Sequence, residues 1–317
     1  MTGRPATPSD SPASSPDLVA ALAERLSSAT VIRRDEPLAG RTTLRVGGPA
    51  DAYVEPASEA DLSSLLRYCR ERSVPFFVLG RGSNLLVRDG GFRGVVICLA
   101  SDEFSRIEPA GGKLRCGAGA RLKAVAVEAR RRGIEGFEFL EGIPGGVGGA
   151  LRMNAGAMGG AIFQLVESVR LMDFNGDIQE RAPAELGPEY RGCPALKTRI
   201  ALSALLRGRS GAREEIARRA SEFNRKRWDS QPAAPSAGCV FKNPAAMPAG
   251  RLIDELSLKG ARVGGARVAD EHANFIINEG GATARDVLAL IDLIRRRARA
   301  ERGIELETEV EIIGTDN

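Results

Sequence analysis

Short apolar strand-like runs alternate with amphipathic helices along this chain, without the long regular βαβ period of a doubly wound sheet, and that pattern predicts an α+β fold. Two bulk properties agree. A length of 317 residues suits two or three domains, and 43% hydrophobic residues are enough to build real cores.

The elements follow in order. Residues 1–16, MTGRPATPSDSPASSP, are rich in Pro, Ser and Thr and have no apolar h-region, so they are expected to form a disordered tail rather than a signal peptide. Asp17 can cap a helix over 17–29, because Leu18, Val19, Leu22 and Leu26 share one face. Residues 43–56 alternate apolar and polar and read as a strand broken at Gly47-Gly48. Ser58 caps a helix over 59–72, and 76–79 is a short buried strand that runs into a glycine loop. Strands are expected at 95–99, 106–108 and 113–116, and a helix at 122–132. Strands follow at 166–173 and 200–207, with an Asn175-Gly176 hairpin signal between them. A charged helix over 213–228 reads as a linker into another unit. Helices at 252–256 and 284–300 flank a strand at 273–278, and a strand over 307–313 closes the chain.

Composition excludes several functions. The net charge of +4 comes from 45 basic and 41 acidic residues, too balanced for a nucleic-acid partner. No apolar run approaches the length of a membrane span. Five cysteines (Cys69, Cys98, Cys116, Cys193, Cys239), an odd number with no CxxC, predict reduced thiols and a cytoplasmic protein. His272 is the only histidine, which disfavours a zinc site or a Ser-His-Asp triad, and no metal is expected.

Glycine is the compositional outlier, with 37 residues in clusters. Backbone N–H groups in tight glycine turns make anion-binding concavities. Two segments suit that use. VLGRGSNLLV carries Gly80, Arg81, Gly82, Ser83, Asn84 and Leu85 after an apolar strand. IPGGVGGALRMNAGAMG carries Ile143, Pro144, Gly145, Gly148 and Gly149, then Asn154, Ala155 and Gly156. Neither is a GxGxxG or Walker A loop, so Rossmann and P-loop readings fail.

Taken with TTLRVGGPADAYVEP, YRGC, SAGCVFKNP, AGRLIDELSLKGARVGGARV, HANFIIN and LETEVEIIG, these segments resemble, in order, the UDP-N-acetylenolpyruvoylglucosamine reductase family, flavoenzymes that complete UDP-N-acetylmuramate for peptidoglycan. The resemblance runs from about residue 30 to 314. It implies an FAD-binding region of the vanillyl-alcohol-oxidase (PCMH) type in two subdomains (17–90 and 91–212), then an α/β substrate domain (213–303), and a last strand (304–317) that returns to complete the active site. The family's extra tyrosine-bearing loop is missing between Trp228 and Ser236, so the chain resembles the short form. FAD is the implied cofactor and NADPH the implied co-substrate. A small nucleotide-sugar is the implied partner, and a monomer is expected.

The implied reaction passes a hydride from the flavin to the terminal carbon of an enolpyruvyl ether, so it needs support for a developing enolate and a proton donor for the α-carbon. By the resemblance, Arg191 supports the enolate, and a guanidinium fork suits a carboxylate. Cys239 stands where most of the family has the proton-donating serine. A thiol of ordinary pKa, about 8.5, still holds its proton at neutral pH. Glu309 matches the catalytic glutamate; Glu307 would share its face on a strand, so only the motif register chooses between them. Tyr190, Arg227, Asn243 and Lys259 match substrate positions, with Lys242 a weaker candidate. His272 reads equally as structural or as a substrate-side hydrogen bonder. Cys193, Met158, Ala161 and Ala269 depart from the family pattern. Two rivals stand beside the reductase: a flavin oxidase on the same fold, and a binding protein that has lost catalysis.

Overall fold

The computed structural model describes residues 16–316, with side chains from Leu18. Residues 1–15 of the expected tail, and the capping side chain of Asp17, lie outside what is described. The first helix spans Pro16–Arg25 and buries Leu22.

A four-stranded sheet comes first. Pro49–Glu55, Phe92–Cys98 and Phe76–Leu79 run parallel, and Val31–Pro37 adds an antiparallel edge. Both faces of this sheet are covered, which is why Val95-Val96-Ile97 is a continuous apolar run rather than an alternation. Val95 and Ile97 face Leu62, Leu65 and Leu66 in one core, while Val96 joins Tyr53, Leu79 and Val87 in another. Helix Glu59–Glu71 supplies those leucines and starts where Ser58 Oγ accepts the Asp61 N–H. The boundary expected at residue 90 falls inside this sheet, because Phe92–Cys98 sits between two of its strands. Nor does the alternation over 43–56 make one strand. Only Pro49–Glu55 pairs, and residues 43–48 leave the sheet with Arg45 at φ 58° and Gly47 at φ 121°.

The second sheet is antiparallel, in the order Ile178–Arg181, Val166–Asp173, Arg199–Arg207, Lys113–Gly117, Ile107–Ala110. The Asn175-Gly176 turn leads not to Arg199–Arg207 but to Ile178–Arg181. That strand is exposed throughout and has no apolar period, so its sequence carries no strand signal. Helix Arg213–Ser230 is more than a linker. It buries Ile216 and Ala220, and Arg219 pairs with Glu135 at 2.8 Å, fixing the helix beside Glu138–Gly142.

The third sheet orders Ser236–Cys239, Phe275–Asn278, Ala266–Val268 and Arg262–Val263, all antiparallel, with helices Ala249–Glu255 and Ala284–Arg302 packed in the same core. Leu44, Val46 and Leu86, from far earlier in the chain, are buried in that core too. The closing strand is shorter than expected, Glu311–Ile313, and pairs in parallel with Leu85–Val87 directly after the first glycine loop.

Asn274 clamps the third sheet to the turn after it. Its Oδ1 accepts the Phe241 N–H at 2.9 Å and its Nδ2 donates to the Phe241 carbonyl at 2.8 Å, both buried. Asn274→Ala leaves a buried donor and a buried acceptor unpaired, and is expected to lower unfolding free energy by about 2 kcal/mol or more in a denaturant titration.

Candidate active site

Two cavities meet at the glycine loops. One, of about 990 Å³, opens between the first two sheets. The other, of about 860 Å³, lies between those sheets and the third. Each loop has one end in each cavity. Gly80 and Arg81 line the first and Ser83 and Asn84 the second; Gly146, Gly148 and Gly149 line the first and Gly142, Ile143 and Pro144 the second. The loops face one another, since a Cβ on Gly145 would stand 3.7 Å from Ser83 Oγ. Gly82 must be glycine: its φ is +61°, and a Cβ there would come within 2.4 Å of the Arg41 carbonyl oxygen. Cβ atoms on Gly80 and Gly149 would meet nothing within 4 Å, so both backbones are open to the first cavity.

The first cavity is lined by five cations (Arg81, Arg121, Arg152, Lys197, Arg199) and a single acid, Glu311. Glu311 pairs with Arg152 at 2.7 Å. Such an excess of positive charge favours a polyanionic ligand.

Arg191, Cys239 and Glu309 come together on the wall of the second cavity. Each is placed by backbone. The Glu309 N–H donates to the Val240 carbonyl at 2.8 Å, and Phe241 bridges to Thr308, so the C-terminal segment lies against the residues that follow Cys239. Asn84 Nδ2 donates to the Glu309 carbonyl at 3.0 Å, fastening that segment to the first glycine loop. Arg191 sits in a turn closed between Glu189 and Gly192. Asn154 Nδ2 holds the Glu189 carbonyl at 3.0 Å, and Arg191 Nη1 reaches the Gly156 carbonyl at 3.4 Å. Arg191 has φ 58°, a conformation that costs a side-chain-bearing residue about 1 kcal/mol or more and persists only where the surroundings enforce it. Asn84 and Asn154, expected as cofactor donors, thus spend one amide N–H on positioning.

Arg191 Nε lies 2.8 Å from Glu309 Oε1, although its N–H is not aimed along that line and finds no in-line acceptor. Burial lifts the Glu309 carboxyl above the usual carboxylate range, with Arg191 and Lys242 opposing. Burial also pushes the Cys239 thiol up to about 11, helped by the Glu309 charge and opposed by Arg191. Glu307 takes the other course. Its side chain is exposed and pairs with Lys242 at 3.1 Å. The same-face expectation fails because pairing as a regular strand begins only at Glu311.

Arg227 lines the second cavity half-buried, and burial lowers its pKa. Of the expected cofactor positions, Gly82, Gly145, Asn154 and Leu85, which is buried in a core, stand outside both linings, and so do the four other expected substrate positions. Tyr190 is exposed, with the Arg191 guanidinium 5.3 Å from its ring. Asn243 Oδ1 accepts the Ala249 N–H and so starts a helix. Lys259 pairs with Asp254 at 2.8 Å. The His272 ring lies 4.9 Å from that of Phe275, tilted by 59°, and burial depresses its pKa. Residues that the sequence did not single out are Thr43, whose hydroxyl donates to the Ser236 carbonyl at 2.6 Å, Arg45 and Trp228, all lining the second cavity. The first two sit in TTLRVGG, where the glycines drew attention instead.

The C-terminal portion, residues 231–313, matches the family model for the C-terminal domain of UDP-N-acetylenolpyruvoylglucosamine reductase, and residues 50–181 match the FAD binding domain. A reductase of that name from Heliobacterium modesticaldum is 46% identical over 284 residues, covering 89% of this chain and 90% of the relative. One from Pelobacter propionicus is 45% identical, covering 89% and 95%. The crystal structure of the Thermus caldophilus enzyme superposes with a TM-score of 0.77 at 41% identity, over 90% of this chain and 99% of that one. With both domains matched in order and full-length relatives this similar, the chain belongs to the UDP-N-acetylenolpyruvoylglucosamine reductase family and is an FAD-binding oxidoreductase.

Proposed function

We propose that this enzyme is a cytoplasmic UDP-N-acetylmuramate dehydrogenase of peptidoglycan synthesis, which uses NADPH to reduce the enolpyruvyl ether of UDP-N-acetylglucosamine. The observation that carries the reading is the convergence of a guanidinium, a protonated thiol and a buried carboxylate on one cavity, joined through glycine loops to a cationic one.

The residues fit FAD. A dinucleotide is long, anionic at its middle and aromatic at both ends. The loops lie at the waist between two cavities, with Gly80 and Gly149 open to close approach and cations in excess on one side. Gly80, Arg81, Gly82, Ser83, Asn84 and Leu85, with Ile143, Pro144, Gly145, Gly148, Gly149, Asn154, Ala155 and Gly156, would hold it. When bound, FAD carries the hydride from NADPH to the terminal carbon of the enolpyruvyl group.

The chain's own groups handle the rest. Arg191 donates to the substrate carboxylate as negative charge builds on it, and being held in a strained turn it costs little reorganisation at that moment. Cys239 gives its thiol proton to the α-carbon. Burial suits it to this role, since a thiol with a pKa of about 11 is protonated throughout the physiological range. The thiolate left behind recovers a proton from solvent. Glu309 orients the donor and Arg191, and its charge holds the thiol protonated. Arg227 holds the diphosphate. Tyr190, Asn243, Lys259 and His272 stand outside both cavity linings and take no part in these steps.

Three outcomes are expected. Purified enzyme is yellow; NADPH bleaches it without oxygen, and the enolpyruvyl nucleotide-sugar restores the colour. A flavin that stays bleached with substrate present rejects the reading. The pH profile of recolouring should stay free of a thiol limb near 8.5 and fall only as pH rises through about 11, because the donor acts when protonated. Lastly, Glu311→Gln removes the one acid from the cationic cavity, so apoprotein titrated with FAD should bind it about twofold to fivefold more tightly by fluorescence quenching; the pair is partly exposed, which keeps the effect small.

A further inference from the structure

Trp228 is the only tryptophan in the chain. It lies in the last turn of helix Arg213–Ser230, lines the second cavity and is 68% exposed, more than any other large apolar side chain among the described residues. An indole left this open on a cavity wall is unusual, because burying a ring of that size is strongly favourable. The helix beneath it is fixed, since Arg219 ties it to Glu135, so the ring is presented on a rigid base.

Its neighbour adds a second observation. Arg227 is half-buried in the same wall, and among the described residues its guanidinium has no hydrogen-bond or ion-pair partner. Buried charges ordinarily find a counter-charge. A cation awaiting an anion and an aromatic face awaiting a ring, one residue apart, together suit a nucleotide: phosphate on the first, base on the second.

Exposure says which nucleotide. The reacting end of the cavity is closed, with the Glu309 side chain 13% and Arg191 25% exposed, whereas Trp228 marks its open end. A nicotinamide must travel to the reacting end to give up its hydride. The base of a nucleotide-sugar lies beyond the diphosphate, away from the reacting carbon. We propose that Trp228 is a specificity-determining residue whose indole stacks on the pyrimidine base of the nucleotide-sugar while Arg227 holds its diphosphate. This rests on the nucleotide-sugar reading above.

The test titrates holoenzyme with UDP while following both tryptophan emission and flavin absorbance. UDP should change the emission saturably, with the same midpoint as any flavin perturbation. Trp228→Ala should raise the KM for the nucleotide-sugar about tenfold with a much smaller change in kcat, leaving the KM for NADPH in place, and Trp228→Phe should restore most of the loss. If UDP binds by flavin absorbance or calorimetry but leaves the emission unchanged, and Trp228→Ala keeps the wild-type KM, the stacking role is wrong and the reductase reading survives. A rise in the NADPH KM instead assigns the ring to nicotinamide and overturns the proposal. Failure of UDP to bind at all removes both.

Discussion

Three residues at the end of the chain, Glu311–Ile313, pair in parallel with Leu85–Val87, and the active site depends on that pairing. It joins the two ends of the fold where the first glycine loop enters its strand. Glu309, two residues before the pairing begins, is thereby carried to the cavity wall, where its N–H meets the Val240 carbonyl and its own carbonyl meets Asn84. Cys239 and Glu309 are 70 residues apart in sequence, and this is what makes them neighbours. The closure of so long a loop is an entropic cost that local interactions cannot offset, so the burial of Leu86, Val310 and Leu306 in the third core is essential to it.

The glycine loops therefore do two things. They open backbone toward the first cavity, and they carry the asparagines that fasten the segments of Glu309 and Arg191. Asn84 holds the segment of Glu309, and Asn154 holds the turn of Arg191. The glycine loops and the residues that meet in the second cavity thus share one hydrogen-bonded framework. Against that frame, cysteine in place of serine at position 239 is a moderate change. Burial and the Glu309 carboxylate keep the thiol protonated, so the greater intrinsic acidity of sulfur is spent without losing the proton at working pH.

Much of this was legible in the sequence. The glycine loops could be named from their residues, whereas Arg191, Cys239 and Glu309 could be named only through the order of motifs that resembles the family; the fold brings those three to one cavity wall. What sequence did not reveal was who positions whom. Asn84 and Asn154 look like ligand donors until the chain is folded. Period-two reasoning put Glu307 and Glu309 on one face, and it failed because this stretch is held by a single bridge, Phe241 to Thr308, rather than a ladder. Asn274 sits inside an apolar motif that reads simply as strand, yet its side chain clamps the turn after Cys239. Trp228, on a charged helix, has no period to mark it; only its exposure on a cavity wall does.

The most direct test of the mechanism separates the two half-reactions in Cys239→Ala by stopped flow. The mechanism predicts flavin reduction by NADPH near the wild-type rate, reoxidation by the enolpyruvyl substrate slowed by about a hundredfold or more, and substantial recovery in Cys239→Ser. Reoxidation of Cys239→Ala at the wild-type rate would contradict it, since the α-carbon would then be taking its proton from another group.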